Sequence, residues 1–324
     1  MKLSAIILSG MFLFLFFHQV TAQTEKQLTP KEIKQSTIVT QPITLNKGFY
    51  RVRSVYYYGY SNVIFDFNGH RTSVGSYFNK DWSVSSSFSY GLSDRFELGV
   101  DIPFRLIKNI AVNHFEMPFN DFYYRSAYDV SGSGLSDIQL RGDFQLIPEQ
   151  KGTGLVAFLG LTLPTGRKNP KNVVSEIEYS MPIGDGYVAA DIGAYFRKVI
   201  FPSSYYFNVD YQLSFVGTKQ FDPYTEEARF KESNRIMFLF TYRTHLNEWL
   251  ALDNSMSYFV LSKSWVEGAS SYLTRDYTMY GISLMPGLSF QIKQLRFNQG
   301  LSVPIVGKVG SADVSYYLIV GYVF

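Results

Sequence analysis

The sequence predicts an all-β fold, a transmembrane antiparallel up-and-down β-barrel of about 12 strands. Three observations carry that expectation. Hydropathy alternates with a period of two almost everywhere after Gly48. The connections between the alternating segments are short and long in turn. The chain opens on an export leader and closes on an alternating strand whose last residue is Phe324.

The leader comes first. Lys2 supplies a positive start, residues 5–17 form an apolar run, and Val20-Thr21-Ala22 is a small-residue cleavage site before Gln23. His18 and Gln19 cut the apolar run short of a membrane span. The chain has no cysteine, which excludes a lipoprotein anchor, thiolate metal sites and cysteine nucleophiles. Beyond Gln23 no apolar stretch approaches the length of a spanning helix, so an exported chain that enters a membrane must do so as a barrel. Residues 23–47 are polar, hold Pro30 and Pro42 and lack a clean period; they read as a flexible periplasmic segment. The expected organisation is a signal peptide over 1–22, that segment over 23–47, and a barrel over 48–324.

Composition narrows the class. With 46% hydrophobic and 17% aromatic residues, including 25 Tyr and 28 Phe, the chain is no disordered tail. A formal net charge of +3 gives no footprint for nucleic acid. Mean hydropathy is −0.04, so aromatic richness coexists with an average that is not greasy.

The clearest strand follows Arg95. Phe96, Leu98, Val100, Ile102, Phe104 and Leu106 share one face; Glu97, Gly99, Asp101, Pro103 and Arg105 share the other. A helix would scatter those charges around its circumference. The same reasoning places strands near 48–60, 71–90, 95–107, 134–147, 153–165, 187–199, 204–216, 235–244, 249–261, 278–291, 295–304 and 313–324. Short links fall at 91–94, 148–152, 201–203, 245–248 and 293–294; long ones at 61–70, 108–133, 166–186, 217–234, 262–277 and 305–312. With the N-terminus periplasmic, every short link lies on the periplasmic side, as a spanning barrel requires.

If the apolar rows face lipid, the charged rows line the lumen. They are Arg51, Arg53, Glu97, Asp101, Arg105, Asp137, Arg141, Asp143, Asp191, Arg197, Asp210, Arg235, Arg243, Asp253 and Arg296, eight basic and seven acidic. A charge at mid-depth on the lipid side would cost roughly 2–4 kcal/mol, which forces this arrangement. The mixed signs fit either a polar passage with local steering or an ion-paired filling that stiffens the barrel. Barrels of about eight strands are filled and those of about sixteen are wide pores, so a narrow or partly plugged passage is expected. Tyr56, Tyr58, Tyr60, Tyr90, Trp249 and Tyr322 fit the aromatic girdles of lipid–water boundaries.

Catalytic patterns are weak. His70, His114 and His245 are not at metal-ligand spacing, and His70 and Ser73 fall on opposite faces of a strand. No enzyme activity, cofactor or metal is implied. The loop 108–133 is richer: Phe115, Phe119, Phe122, Tyr123, Tyr124 and Tyr128 are interleaved with charges, and a loop of this length can cap a pore or pack on itself.

Four blocks then resemble a known family. They are YGLSDRFELGV at 90–100, GSGLSDIQL at 132–140, LTLPTG at 161–166 and GDGY at 184–187. In order and spacing they are similar to the MetA-type phenol-degradation-pathway family of outer-membrane barrels, grouped as transporters. The resemblance implies a single barrel that serves as an outer-membrane channel for a small aromatic or amphipathic solute. The terminal Tyr322 and Phe324 resemble the signal that barrel assembly machinery reads, so the expected partners are that machinery and outer-membrane lipid. The alternatives are a closed barrel that binds or scaffolds through its long outer loops, and a soluble periplasmic β-sandwich.

Overall fold

A computed structural model describes residues 44–323 apart from 62, 74–76, 112–114, 117–122, 125–127, 151–152, 176–177, 201, 221–225, 248, 268–276, 293–294 and 309. Within strands it describes the backbone alone at 61, 77–80, 107–111, 115–116, 123–124, 128–130, 149–150, 174–175, 178 and 310–311. The expected leader, most of the N-terminal segment, Phe119, Phe122 and Phe324 therefore lie outside the described residues.

Twelve antiparallel strands close on themselves. They are β1 Tyr50–Ser61, β2 Tyr77–Ser93, β3 Phe96–Ala111, β4 Ile138–Gln150, β5 Thr153–Leu163 and β6 Ala189–Ile200. They continue as β7 Ser203–Ser214, β8 Arg235–His245, β9 Leu250–Leu261, β10 Met279–Ile292, β11 Leu295–Lys308 and β12 Ser315–Val323. Each pairs with the next, and β12 returns to β1 from Arg51↔Val323 to Gly59↔Ser315. Every short link sits at one end, as the parity of loop lengths predicts. The short strands Lys171–Ser175 and Glu178–Ser180 belong to the connection between β5 and β6 and leave that parity intact.

Two elements depart from the expectation. The strand expected at 71–90 enters the wall only at Tyr77, because Arg71–Ser73 pairs with Val63–Phe65 in a separate hairpin. The strand expected at 134–147 is two pieces, Tyr128–Leu135 and β4, separated by Ser136 and Asp137. The inner part of β3 pairs with β4 and its outer part with Tyr128–Leu135, from Phe104↔Leu135 to Ala111↔Tyr128. The stems of the expected 108–133 loop thus continue the wall. Gly134, at φ 146°, supplies the backbone freedom for the break.

The two faces are inverted relative to a soluble protein. Leu159 is 63% exposed on the outside, whereas Glu97 is 1% exposed on the inside. Leu98, Leu106, Leu140 and Phe144 join Leu159 on the outer surface. Tyr58 stands in register with Trp82 on one side and Tyr316 on the other, and all three are exposed. That aromatic row has the character of a boundary girdle.

Candidate functional site

The lumen collects the charged row, and its inner end is packed. The Glu97 carboxylate takes the Arg51 guanidinium and also accepts the backbone N–H of Leu45 at 2.7 Å. Thr44 and Leu45, just ahead of β1, are buried there, and Thr44 Oγ1 meets Gln145 Oε1 at 3.3 Å. Across the lumen Arg243 grips Asp253, with Nη2 to Oδ2 at 2.9 Å. Ser289 and Asn298 bond to the same carboxylate. Arg197 and Arg243 both bond to the Tyr206 hydroxyl, and Arg296 is half-buried nearby on β11.

Further out the pairs loosen. Arg53 donates to Ser87 Oγ at 3.2 Å and lies 3.9 Å from Asp101. Arg141 Nε bonds Asp143 at 2.8 Å; its guanidinium also reaches the Tyr195 hydroxyl and lies 3.8 Å from the Phe158 ring centre. Gln139 donates to Asp191 at 2.8 Å, and Arg235 meets Asp210 at 3.2 Å. Arg105 and Asp81 pair at 3.0 Å. Arg53, Asp101, Arg105 and Asp81 are between 22 and 35% exposed, so water enters this outer half.

Asp137 plays a different part. One oxygen accepts the N–H of Gly166 at 2.8 Å, the other that of Asp185 at 2.6 Å. Thr165 Oγ1 accepts the N–H of Ile138, and Ser136 Oγ donates to the Ile183 carbonyl. Gly166 and Gly184 approach so closely that a Cβ on Gly184 would lie 2.5 Å from the Gly166 carbonyl carbon. The blocks at 132–140, 161–166 and 184–187 therefore converge on one clasp at the wall break. Burial and the neighbouring Asp137 raise the Asp185 carboxyl above its ordinary range, and burial lowers the Lys219 ammonium, which donates to the Gly184 carbonyl.

Two features escaped the sequence reading. The first is an uncharged inner wall. Residues 55–59, 237–241, 255–261, 281–287, 300–304 and 315–319 hold no Asp, Glu, Lys or Arg. Strand alternation from the buried pairs turns Tyr57, Leu239, Phe259, Met285, Tyr317 and Ile319 inward. Phe259 covers Gly281, and the Tyr317 hydroxyl covers Gly287 and Gly300, which confirms the direction. The charged wall of β2 to β7 stands opposite. The second is the hairpin Val63–Ser73, whose Phe65 is buried over the inner side of Gly307.

Among the expected gating aromatics, Phe115 pairs with Tyr124 along the backbone, Tyr123 pairs with Glu116, and Tyr128 pairs with Ala111. Their side chains lie outside the described residues. Tyr322 is exposed at the inner end of β12. His245 Nε2 and Ser204 Oγ meet at 2.9 Å, but Ser204 is 0% exposed, so no substrate carbonyl can reach it. Among the described residues no group of His, Asp and Glu is arranged to hold a metal.

Twelve strands, with β1 beginning and β12 ending at the packed end of the lumen, can be set beside solved barrels. The COG4313 outer membrane channel from Pseudomonas putida F1 superposes with a TM-score of 0.68, over 89% of this chain and 100% of that one. The chain shares its fold. Identity over that match is 15%, so the likeness is one of architecture. The beta domain of the Bordetella autotransporter BrkA gives a TM-score of 0.47 at 8% identity, over 86% of this chain and 100% of that one. The CymD monoaromatic hydrocarbon channel gives 0.42 at 8% identity, over 93% and 94%. Scores below 0.5 are too low to match two folds in detail. No protein-family model and no curated protein sequence matches the chain.

Proposed function

We propose that this chain is an outer-membrane channel of the MetA-type kind, exported behind a cleaved leader, that passes a small amphipathic solute without chemistry of its own. The single observation that carries the reading is the two-sided lumen. An apolar or aromatic body can lie on Tyr57, Phe259, Met285 and Tyr317 while its polar end faces Arg105, Asp101 and Asp81. A purely ion-paired filling has no use for an uncharged wall. The four sequence blocks and the shared architecture agree with this reading, and the partly exposed outer half supplies an entrance.

Passage needs the inner end to open, because Glu97, Arg197, Arg243 and Asp253 are buried. The same burial favours a second reading, a closed barrel that acts through its outer loops. Planar-bilayer conductance of the refolded protein, with and without residues 108–133, separates the two. Discrete steps that grow on deletion support a channel narrowed by that loop. Silence from both folded proteins, together with no uptake of phenolic solutes into liposomes, supports the closed barrel.

A further inference from the structure

The hairpin Val63–Ser73 is seated on the uncharged wall and brings a charge to it. Phe65 lies against Gly307, where an added Cβ would sit 2.6 Å from its ring, and Gly69 turns at φ 80° above the Gly307 carbonyl. Arg71, in register with Phe65, stacks 5.7 Å from that ring and donates Nη2 to the Pro304 carbonyl at 2.6 Å. Pro304 pairs with Ser283 on the uncharged wall, next to Met285 on the same inward face. The hairpin's own carboxylate, Asp66, is engaged elsewhere: it accepts the N–H groups of Asn68 and His70 and lies 3.6 Å from the His70 ring.

We propose that Arg71 and the uncharged wall form one binding site for an amphipathic anion, with the carboxylate or other anionic end on Arg71 and the apolar body against Phe259, Met285 and Tyr317. The inference rests on the channel reading for its biological sense and deepens it by naming the solute's charge. The chemistry is direct. A guanidinium presents five N–H donors in a fork, the Pro304 bond uses one, and the side chain is exposed at the mouth. The Pro304 anchor and the Phe65 ring fix its position before a ligand arrives, so little entropy is lost on binding. The apolar body, in turn, finds surface that carries no competing charge.

The test is calorimetric binding to full-length protein in lipid nanodiscs, with 4-phenylbutyrate, 4-phenylbutanol and 4-phenylbutylammonium as probes. The acid should bind about tenfold more tightly than the alcohol, the worth of one well-placed charged hydrogen bond, and the amine should bind no better than the alcohol. Arg71→Gln should abolish the acid's advantage while leaving the alcohol's affinity unchanged, and Arg71→Lys should keep part of it. Equal binding of acid and alcohol to the native protein overturns the site, as does an acid preference that survives in Arg71→Gln. Absence of binding by all three probes also overturns it. Conductance judges the channel reading separately, so the two can fail independently.

Discussion

Arg243 and Asp253 face each other across β8 and β9 as a two-pronged ion pair with side chains 0 and 2% exposed. Water reaches neither partner, so each depends on the other for solvation. Asp253→Ala strands a buried guanidinium and should cost about 3–5 kcal/mol in denaturant unfolding. The paired change Arg243→Met with Asp253→Leu should recover most of that loss. A double variant as unstable as the single one would mean that the pair's geometry, rather than the orphaned charge, holds the inner end together.

The two faces of β3 predict opposite outcomes for neighbouring positions. Val100→Arg puts a charge on the lipid side at a cost of roughly 2–4 kcal/mol and should block assembly, read as loss of heat-modifiable gel migration. Glu97→Gln keeps an acceptor for the Leu45 N–H and should assemble. Equal damage from both would contradict the assignment of faces.

The clasp at Asp137 predicts a local effect. Asp137→Ala removes the acceptor of the Gly166 and Asp185 N–H groups, so amide exchange over 164–188 should accelerate while the barrel strands keep their protection. Gly184→Ala should do the same by steric contact with Gly166. Unchanged exchange in both variants would remove the clasp as the loop's anchor.

Asp185 gives that clasp a pH dependence. Its folded carboxyl titrates above its unfolded value because burial and Asp137 disfavour the anion. The stabilisation it contributes is therefore complete below the ordinary carboxylate value of about 3.9 and is lost as pH rises through the raised folded value. Asp185→Asn should make exchange over 164–188 slower at neutral pH and less pH-dependent. A variant whose loop loosens at neutral pH would reverse the sign.

The strands were legible because a barrel wall separates lipid from water residue by residue, which leaves a period of two in β3 and β4. That signal vanishes where both faces are apolar. In the run from Ile236 to Phe240, outward Phe238 and inward Met237 and Leu239 look alike, so the uncharged wall was invisible beside the charged rows. Asp137 shows the converse limit. It alternates correctly for a lumen residue, but its partners lie 29 and 48 residues away in a loop, and no local pattern encodes them. The Val63–Ser73 hairpin was hidden for the same reason. Its seat is Gly307, at the far end of the chain, and a glycine in a strand announces that something approaches without saying what.

The packed inner end has a consequence for the cell that carries the protein. If the barrel is the channel proposed above, a membrane crowded with copies in this state leaks little, because the buried Glu97, Arg197, Arg243 and Asp253 fill the inner end. On the channel reading, permeability then scales with the number of copies multiplied by the fraction of time the inner end is open, so a small open fraction keeps it low. A protein of this design can be abundant without exposing its host to every small toxin outside.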